Sequence, residues 1–513
     1  MMAQSALPFQ YEIDQSESGL TSFAGLPLYL ELAIASGLTK EIANRLNAKQ
    51  QGWSDQQIIL SLILLNIAGG DCVDDIERLE SDAGMRLLLL KLETHNMSRK
   101  QRRAYERRWR KKKQRAFPSA SAIHSYLNRF HNAEEEWQRK EGSAFIPSAN
   151  ELLQQLQHVN EELIDFAQRN NPCTTATLDQ DATLCPTYKK TALYSYKGVA
   201  AYQPFNTYWH EQEILLHSEF RDGNVNAGFD QLRLLQQSLD VLPDGVANVF
   251  LRSDSAGYQQ DLLRYCAEGK NERFGVIEFA IAAKISKAFK LAVLEVSEAN
   301  WQPIYKKEND GSIKTNQEWA EVPFVPSFAA TSKSSPNYRY IAIRERMSIQ
   351  PELEGLEPVQ KELPFQTLTI KQAEYKLFGI VTNRTIDGNE LINWHRERCG
   401  HSEKIHSIEK SDLAGGQFPS SKFGANAAWW HIMILAMNLN ALMKKFVMPV
   451  DLKKKRMKGL RLHVISIAGR MVRHARTLTI KLCGGDQLYS LFEMMRERIR
   501  VLAQPPPILS TIE

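Results

Sequence analysis

Apolar residues recur at helical spacing in "LPLYLELAIASGL" and "WSDQQIILSLILLNIAGG", so residues 20–95 are expected to be helical. Ser54 stands where an N-cap belongs, and "GG" closes the second of these helices. The period then changes. "TATLDQDATL" predicts a strand, and "VAAYQPFNTYWHEQEILLHSEFRDG" predicts a strand pair closed by an Asp-Gly-Asn turn. "NAGFDQLRLLQQSL" predicts a helix, "VANVFLRSD" a strand, "GYQQDLLRYCAEG" a helix and "RFGVIEFAIAAKI" a strand. Right-handed crossovers would lay the later strands parallel to the first, in a mixed sheet with helices on both faces. Residues 299–385 break this rhythm with proline- and serine-containing loops and strand-like stretches, and are expected to form a β-rich insertion. From "GNELINWHRERCGHSEKIHSIEKSDL" onward the pattern is helical again.

Two apolar runs need weighing against a membrane. "IILSLILLNIAGG" is short and meets Asp71 at once, while "AAWWHIMILAMNLNALM" carries His431, Asn438 and Asn440. Both fall below what a span requires, so they are expected to be buried helices and no membrane partner is expected. Trp429 and Trp430, inside the second run, are expected in the core. A chain of 513 residues exceeds one core and predicts about two to four domains. The opening "MMAQSALPFQYEIDQ" shows no secretory pattern, and the six cysteines show no paired spacing, which suits a reducing cytoplasm.

The net charge of +5 is mild, but its distribution is not. Between residues 98 and 115 a single acid, Glu106, opposes eleven Lys and Arg. Such a block destabilises its own fold unless a polyanion neutralises it. Candidate DNA contacts are therefore Arg99, Lys100, Arg102, Arg103, Arg107, Arg108, Arg110, Lys111, Lys112, Lys113 and Arg115. A second basic run, residues 452–476, adds Lys453, Lys454, Lys455 and Arg456.

In the β-β-β-α-β order the first and fourth strands lie side by side. The first supplies Asp179 and Asp181, which share a face because side chains alternate with period two. The fourth ends at Asp254, and Glu403 stands on a helix beyond the insertion. Carboxylates brought together are costly without a cation, and all-oxygen ligands favour magnesium or manganese over zinc.

The Asp-Ala-Thr run at 181–183, "RSDSAGY" and "RCGHSEKIHSIEKSDLAGGQFPSSKFGANAAWWHIMILAMNLNALMK" together resemble the signatures of DDE transposases of bacterial insertion sequences. "GGDCVDDIERLESD", "RDGNVNAG" and "MKGLRLHVISIAGRMVRHAR" resemble the insertion-sequence thirteen-eighty family in particular. The resemblance implies a mixed α/β, ribonuclease-H-like catalytic core in which Asp181, Asp254 and Glu403 bind two Mg2+ ions, with Mn2+ able to substitute. Asp181 matches the family pattern better than Asp179, which is left as a supporting acid, although the two face the same way. Lys410 follows Glu403 by seven positions, two helical turns, and with Arg398 is implied as a phosphate-contacting catalytic residue.

The expected organisation is a helical DNA-binding and dimerisation region (1–170), a first core part (171–298), the insertion (299–385), a second core part with Glu403 (386–448) and a basic helical tail (449–513). The implied activity is cleavage at the terminal inverted repeats and joining of the 3′-hydroxyl ends to target DNA, by a homodimer acting on double-stranded DNA in the bacterial cytoplasm. Two alternatives are a nuclease of the same fold without strand transfer and an inactive DNA-binding relic. The presence of all three acids and Lys410 speaks against the relic.

Overall fold

The computed structural model describes residues 19–94, 97–111, 114–308, 311–326, 338–347, 365–370, 373–474 and 477–504. After a short strand β1 (Leu20–Thr21) come the helices α1 (Leu26–Ala35), α2 (Leu38–Arg45), α3 (Asp55–Ala68), α4 (Ile76–Ser81) and α5 (Ala83–Glu93). Then follow α6 (Arg99–Lys111), α7 (Ala120–Leu127) and α8 (Glu151–Asn170). Helix α3 begins as its sequence predicts: the Ser54 hydroxyl accepts from the Gln57 N–H, and the Gln57 side chain accepts from the Ser54 N–H. It ends at Gly69, whose φ of 97° is the left-handed conformation that glycine adopts without penalty.

The sheet begins with β2 (Thr175–Ala182). A small pair, β3 (Cys185–Pro186) with β4 (Ala201–Tyr202), precedes the hairpin β5 (Phe205–Trp209) and β6 (Ile214–Glu219). Helix α9 (Gln231–Asp240) crosses to β7 (Asn248–Ser253), and α10 (Gln260–Ala267) crosses to β8 (Glu278–Ala282). Strands β2, β7 and β8 are parallel neighbours, while β5 and β6 run antiparallel on the other side of β2.

After α11 (Lys287–Leu294) the chain forms β9 (Gln302–Glu308), β10 (Gly311–Val322), β11 (Arg339–Arg346), β12 (Thr367–Ile370) and β13 (Ala373–Thr382). These strands do not make a body of their own. Strand β13 pairs antiparallel with β8, and the order is β6-β5-β2-β7-β8-β13-β11-β10-β9, with β12 beside β13. The expected insertion therefore extends the central sheet, covering the edge that β8 would otherwise leave open. Residues 327–337 and 348–364 of it lie outside the described residues.

Helix α12 (Gly388–Ser407) returns across the sheet and runs into a π-helical turn, Ile408–Asp412. Helix α13 (Phe423–Leu442) follows, buried along nearly its whole length and packed on α3, α8 and β6. Trp429 donates to the Ala414 carbonyl (3.0 Å) and Trp430 to the Ser218 hydroxyl (2.9 Å), so both indoles are core residues with satisfied N–H groups. No single helix among the described residues is long and apolar enough to cross a membrane.

Short helices α14 (Val450–Lys453) and α15 (Met457–Leu460) lead to the hairpin β14 (Gly469–His474) and β15 (Thr477–Leu482), then to α16 (Asp486–Leu502). The hairpin captures β1, pairing Leu20 with Arg470, and Arg496 of α16 meets Glu31 of α1 at 3.2 Å. The first and last described elements are thus packed together.

Asn438 of α13 closes the exposed backbone of the edge strand β6. Its amide donates to the Leu215 carbonyl and to Asn160, and its oxygen accepts from the Leu215 N–H, all at 2.8 Å. Asn438→Ala takes the partner from the buried Leu215 N–H, while the Leu215 carbonyl keeps Asn160 at 3.0 Å, and is expected to cost about 1–3 kcal/mol. A urea unfolding curve checks this; a loss under about 0.5 kcal/mol contradicts it.

Candidate active site

The parallel register of β2 on β7 sets Asp179 opposite Arg252 and Gln180 opposite Ser253. The chain leaves β2 just past Asp181 and leaves β7 just before Asp254, so both acids stand at the same end of the two central strands. Asp254 caps a short turn, accepting from the Ala256 N–H at 2.9 Å. Asp181 accepts from the Ala182 N–H at 2.9 Å and from Arg398 Nη1 at 3.0 Å. Burial pushes the Asp181 carboxyl up to about 6. Arg398 opposes that shift, and the Asp254 charge adds to it. The two acids therefore share one field, and Arg398 is the cation that answers it.

Asp179 is otherwise engaged. Arg252, fully buried, donates to both of its carboxylate oxygens, at 2.6 and 2.8 Å. This separates two acids that sequence alone left interchangeable: Asp179 is spoken for by a guanidinium inside the sheet, and Asp181 faces the open end. Asp181 keeps 23% of its side chain exposed, against 2% for Asp179.

Two acids beyond the strands come into question as a third, the Glu403 that the resemblance implies and Glu409. Glu403 is exposed, and at five residues beyond Arg398 it lies about 140° round α12 from it. Glu409, eleven residues beyond Arg398 and within the π-helical turn, is fully buried. One Glu409 oxygen accepts from Asn206 at 2.8 Å, and the other has no partner among the described residues. Asn206 is the cross-strand partner of Asp181 in β5, so Glu409 sits on the sheet face that Asp181 presents. Burial raises the Glu409 carboxyl well above the usual range; Lys410 opposes the shift and Asp181 adds to it. Lys410 itself donates to the Leu184 carbonyl at 3.3 Å, just past the end of β2.

Two imidazoles complete the surroundings. His395 lies 3.1 Å from the Ser253 carbonyl, and burial together with the Arg398 charge lowers it to about 4. Burial lowers His406 to about 4 as well. Both are neutral at pH 7.

The donor set suits a hard divalent cation: carboxylates, one Glu409 oxygen without a partner among the described residues, and an Asp181 carboxyl that the Asp254 charge pushes up. Among the described residues no three His, Cys, Asp or Glu side chains already stand round a metal position. Arg398, bonded to Asp181, supplies the positive charge in this arrangement.

The basic candidates divide by their partners. Arg99, Lys100, Arg103 and Arg107 of α6 are exposed, with Arg102 half-buried. The side chains of Arg108, Arg110 and Lys111, and all of Lys112 and Lys113, lie outside the described residues. Glu106, the one acid of the run, pairs with Arg473 of β14 at 2.6 Å. Arg115 binds Glu77 (2.6 Å) and the Phe117 carbonyl, and Arg456 binds Asp412 and Ser407, so these two anchor the fold. Lys453 donates to the Lys445 carbonyl, Lys454 is exposed and Lys455 half-buried. Glu409, Arg252 and Asn206, which the geometry brings beside the candidate acids, are not among the residues the sequence points to. For Glu409 a signal existed, since eleven residues from Arg398 is about three helical turns.

The family model for "Transposase DDE domain group 1" matches residues 10–504. No curated protein matches. Among solved structures, a piggyBac transposase synaptic complex with hairpin DNA aligns with 96% of this chain and 86% of its own, at 9% identity and a TM-score of 0.40. At that TM-score the likeness carries no weight.

Asp181 takes its proton near pH 6 in the fold but near 3.8 when unfolded. The fold therefore loses stability as pH rises from 3.8 through 6. Asp181→Asn removes that loss. In EDTA at pH 8 the variant is expected to be more stable by about 1–3 kcal/mol, and at pH 4 to equal wild type. Thermal melts at the two values check this; a variant less stable at pH 8 contradicts it.

Proposed function

The chain belongs to the transposase DDE domain group 1 family, and from that premise we propose that it cuts the terminal inverted repeats of an insertion sequence and joins the freed 3′ ends to target DNA. The observation that carries this reading is the mutual field of Asp181 and Asp254 at the ends of adjacent parallel strands, with Arg398 set against it. Like charges so placed favour cation binding, and phosphoryl transfer is the chemistry such a site serves. Its membership of the thirteen-eighty group, bacterial origin, cytoplasmic location on the nucleoid and action as a homodimer belong to the same proposal.

Asp181, Asp254 and Glu409 are the residues that would hold the divalent ions, preferably Mg2+. When bound, such ions lower the pKa of a water and stabilise the leaving 3′ oxygen. Arg398, released from Asp181, and Lys410 stand where they can neutralise non-bridging phosphate oxygens. In cleavage the water oxygen bonds to phosphorus as the phosphorus–O3′ bond breaks, and the 3′ oxygen takes a proton. In joining, that 3′-hydroxyl is the nucleophile and a target 3′ oxygen leaves. The exposed bases of α6 suit the phosphate backbone.

The test is cleavage and joining of DNA bearing the element's own ends, with Mg2+ or Mn2+. Asp254→Asn and Glu409→Gln are expected to lose about 100-fold or more in cleavage with DNA binding kept, and Glu403→Gln less than about tenfold. Cleavage without joining identifies a nuclease. Loss with Glu403→Gln and not with Glu409→Gln returns the third acid to Glu403.

A further inference from the structure

The Asp179–Arg252 pair lies beneath the acids without belonging to them. Arg252 has no exposed surface, yet every one of its bonds points at the framework of the site. On one side it holds both oxygens of Asp179. On the other, Nη1 donates to the Trp394 carbonyl at 2.7 Å and to Glu397 at 3.1 Å. Its guanidinium also lies 5.2 Å from the Trp394 ring, which Arg384 approaches to 4.3 Å.

The spacing of these anchors carries the argument. Asp179 is two residues before Asp181 on one strand, hence on the same face. Trp394 is four residues before Arg398 on one helix, and in the helical ladder its carbonyl belongs to the Arg398 N–H. The deeper contact, Asp179–Arg252–Trp394, therefore repeats one step inward the bond that Arg398 makes to Asp181. A buried ion pair is a weak way to add stability, because well-packed apolar residues of similar volume commonly do as well. An apolar pair would not grip a helix carbonyl. The guanidinium, planar and multiply donating, is suited to fix a strand and a helix at one distance.

We propose that Arg252 is a positioning residue. Through Asp179 and the Trp394 carbonyl it sets how far α12, with Arg398 and Glu409, stands from Asp181 and Asp254. The proposal rests on the transposase reading for its activity readout.

Full-length wild type, Arg252→Lys and the double variant Asp179→Leu/Arg252→Met are compared by melting temperature, Mn2+ affinity from the electron paramagnetic resonance of free Mn2+, duplex binding, and the kcat and KM of end cleavage. The double variant leaves no buried charge unpaired and is expected to melt within a few degrees of wild type. It is expected to bind Mn2+ about 10- to 100-fold more weakly and to lose as much or more in kcat, with duplex affinity and KM little changed. Wild-type Mn2+ affinity and kcat in a folded double variant overturn the proposal. Should the double variant fail to fold, Arg252→Lys decides, since it keeps the charge and gives up the planar fork. Expected is a fall in kcat and Mn2+ affinity, and no fall in either overturns the proposal. Wild type that binds Mn2+ but never cleaves sinks the transposase reading instead, and the Mn2+ arm alone then judges Arg252.

Discussion

Two carboxylates at the ends of adjacent parallel strands repel, and for the more buried of them, Asp181, a cation alongside offsets the cost of keeping its charge. Asp181 and Asp254 are set in that position by the pairing of β2 with β7, and the rest of the site answers it. Arg398 bonds Asp181, Lys410 stands just past the end of β2, and Glu409 has one oxygen without a partner among the described residues. The arrangement is poised: a metal ion would meet the same charge that Arg398 now meets. In the proposed function, metal binding would exchange one positive partner of Asp181 for another.

Holding such a group open requires a stiff frame, and the polar contacts of the core supply it. Asn438 fixes the edge strand β6, which holds β5, which in turn places Asn206 beside Asp181 and Glu409. On the far side of the π-helical turn, Arg456 and Arg461 bind Asp412, at its side chain and its carbonyl. The basic tail thereby doubles as a brace, and the hairpin β14–β15 joins it to β1 and, through Glu106, to α6.

Much of this was legible in the sequence, and what was not has a common cause. Strand alternation and helix periodicity give β2, β5, β6, α9, β7, α10 and β8 in order, and Ser54 and Gly69 mark both ends of α3. That order brings Asp179, Asp181 and Asp254 together, and the resemblance is what prefers Asp181. Non-local pairing does not follow from that order. The stretches of 299–385 read as strands, but nothing in their pattern says that β13 would lie on β8. Likewise Arg252 reads as one more basic residue until the register sets it against Asp179. The resemblance implies Glu403, with Lys410 on the same helical face. The face that meets the sheet is fixed by Arg398, and Glu409 lies on it.

The central claim is that Asp181, Asp254 and Glu409 form one cation site now countered by Arg398. The most direct measurement is an anomalous difference map of the protein bound to Mn2+ and its DNA end. The account predicts manganese between Asp181 and Asp254 with a Glu409 oxygen toward it and Arg398 moved from Asp181 to a phosphate. Manganese held by Glu403 with Glu409 still buried against Asn206, or no manganese at these strand ends, would contradict it.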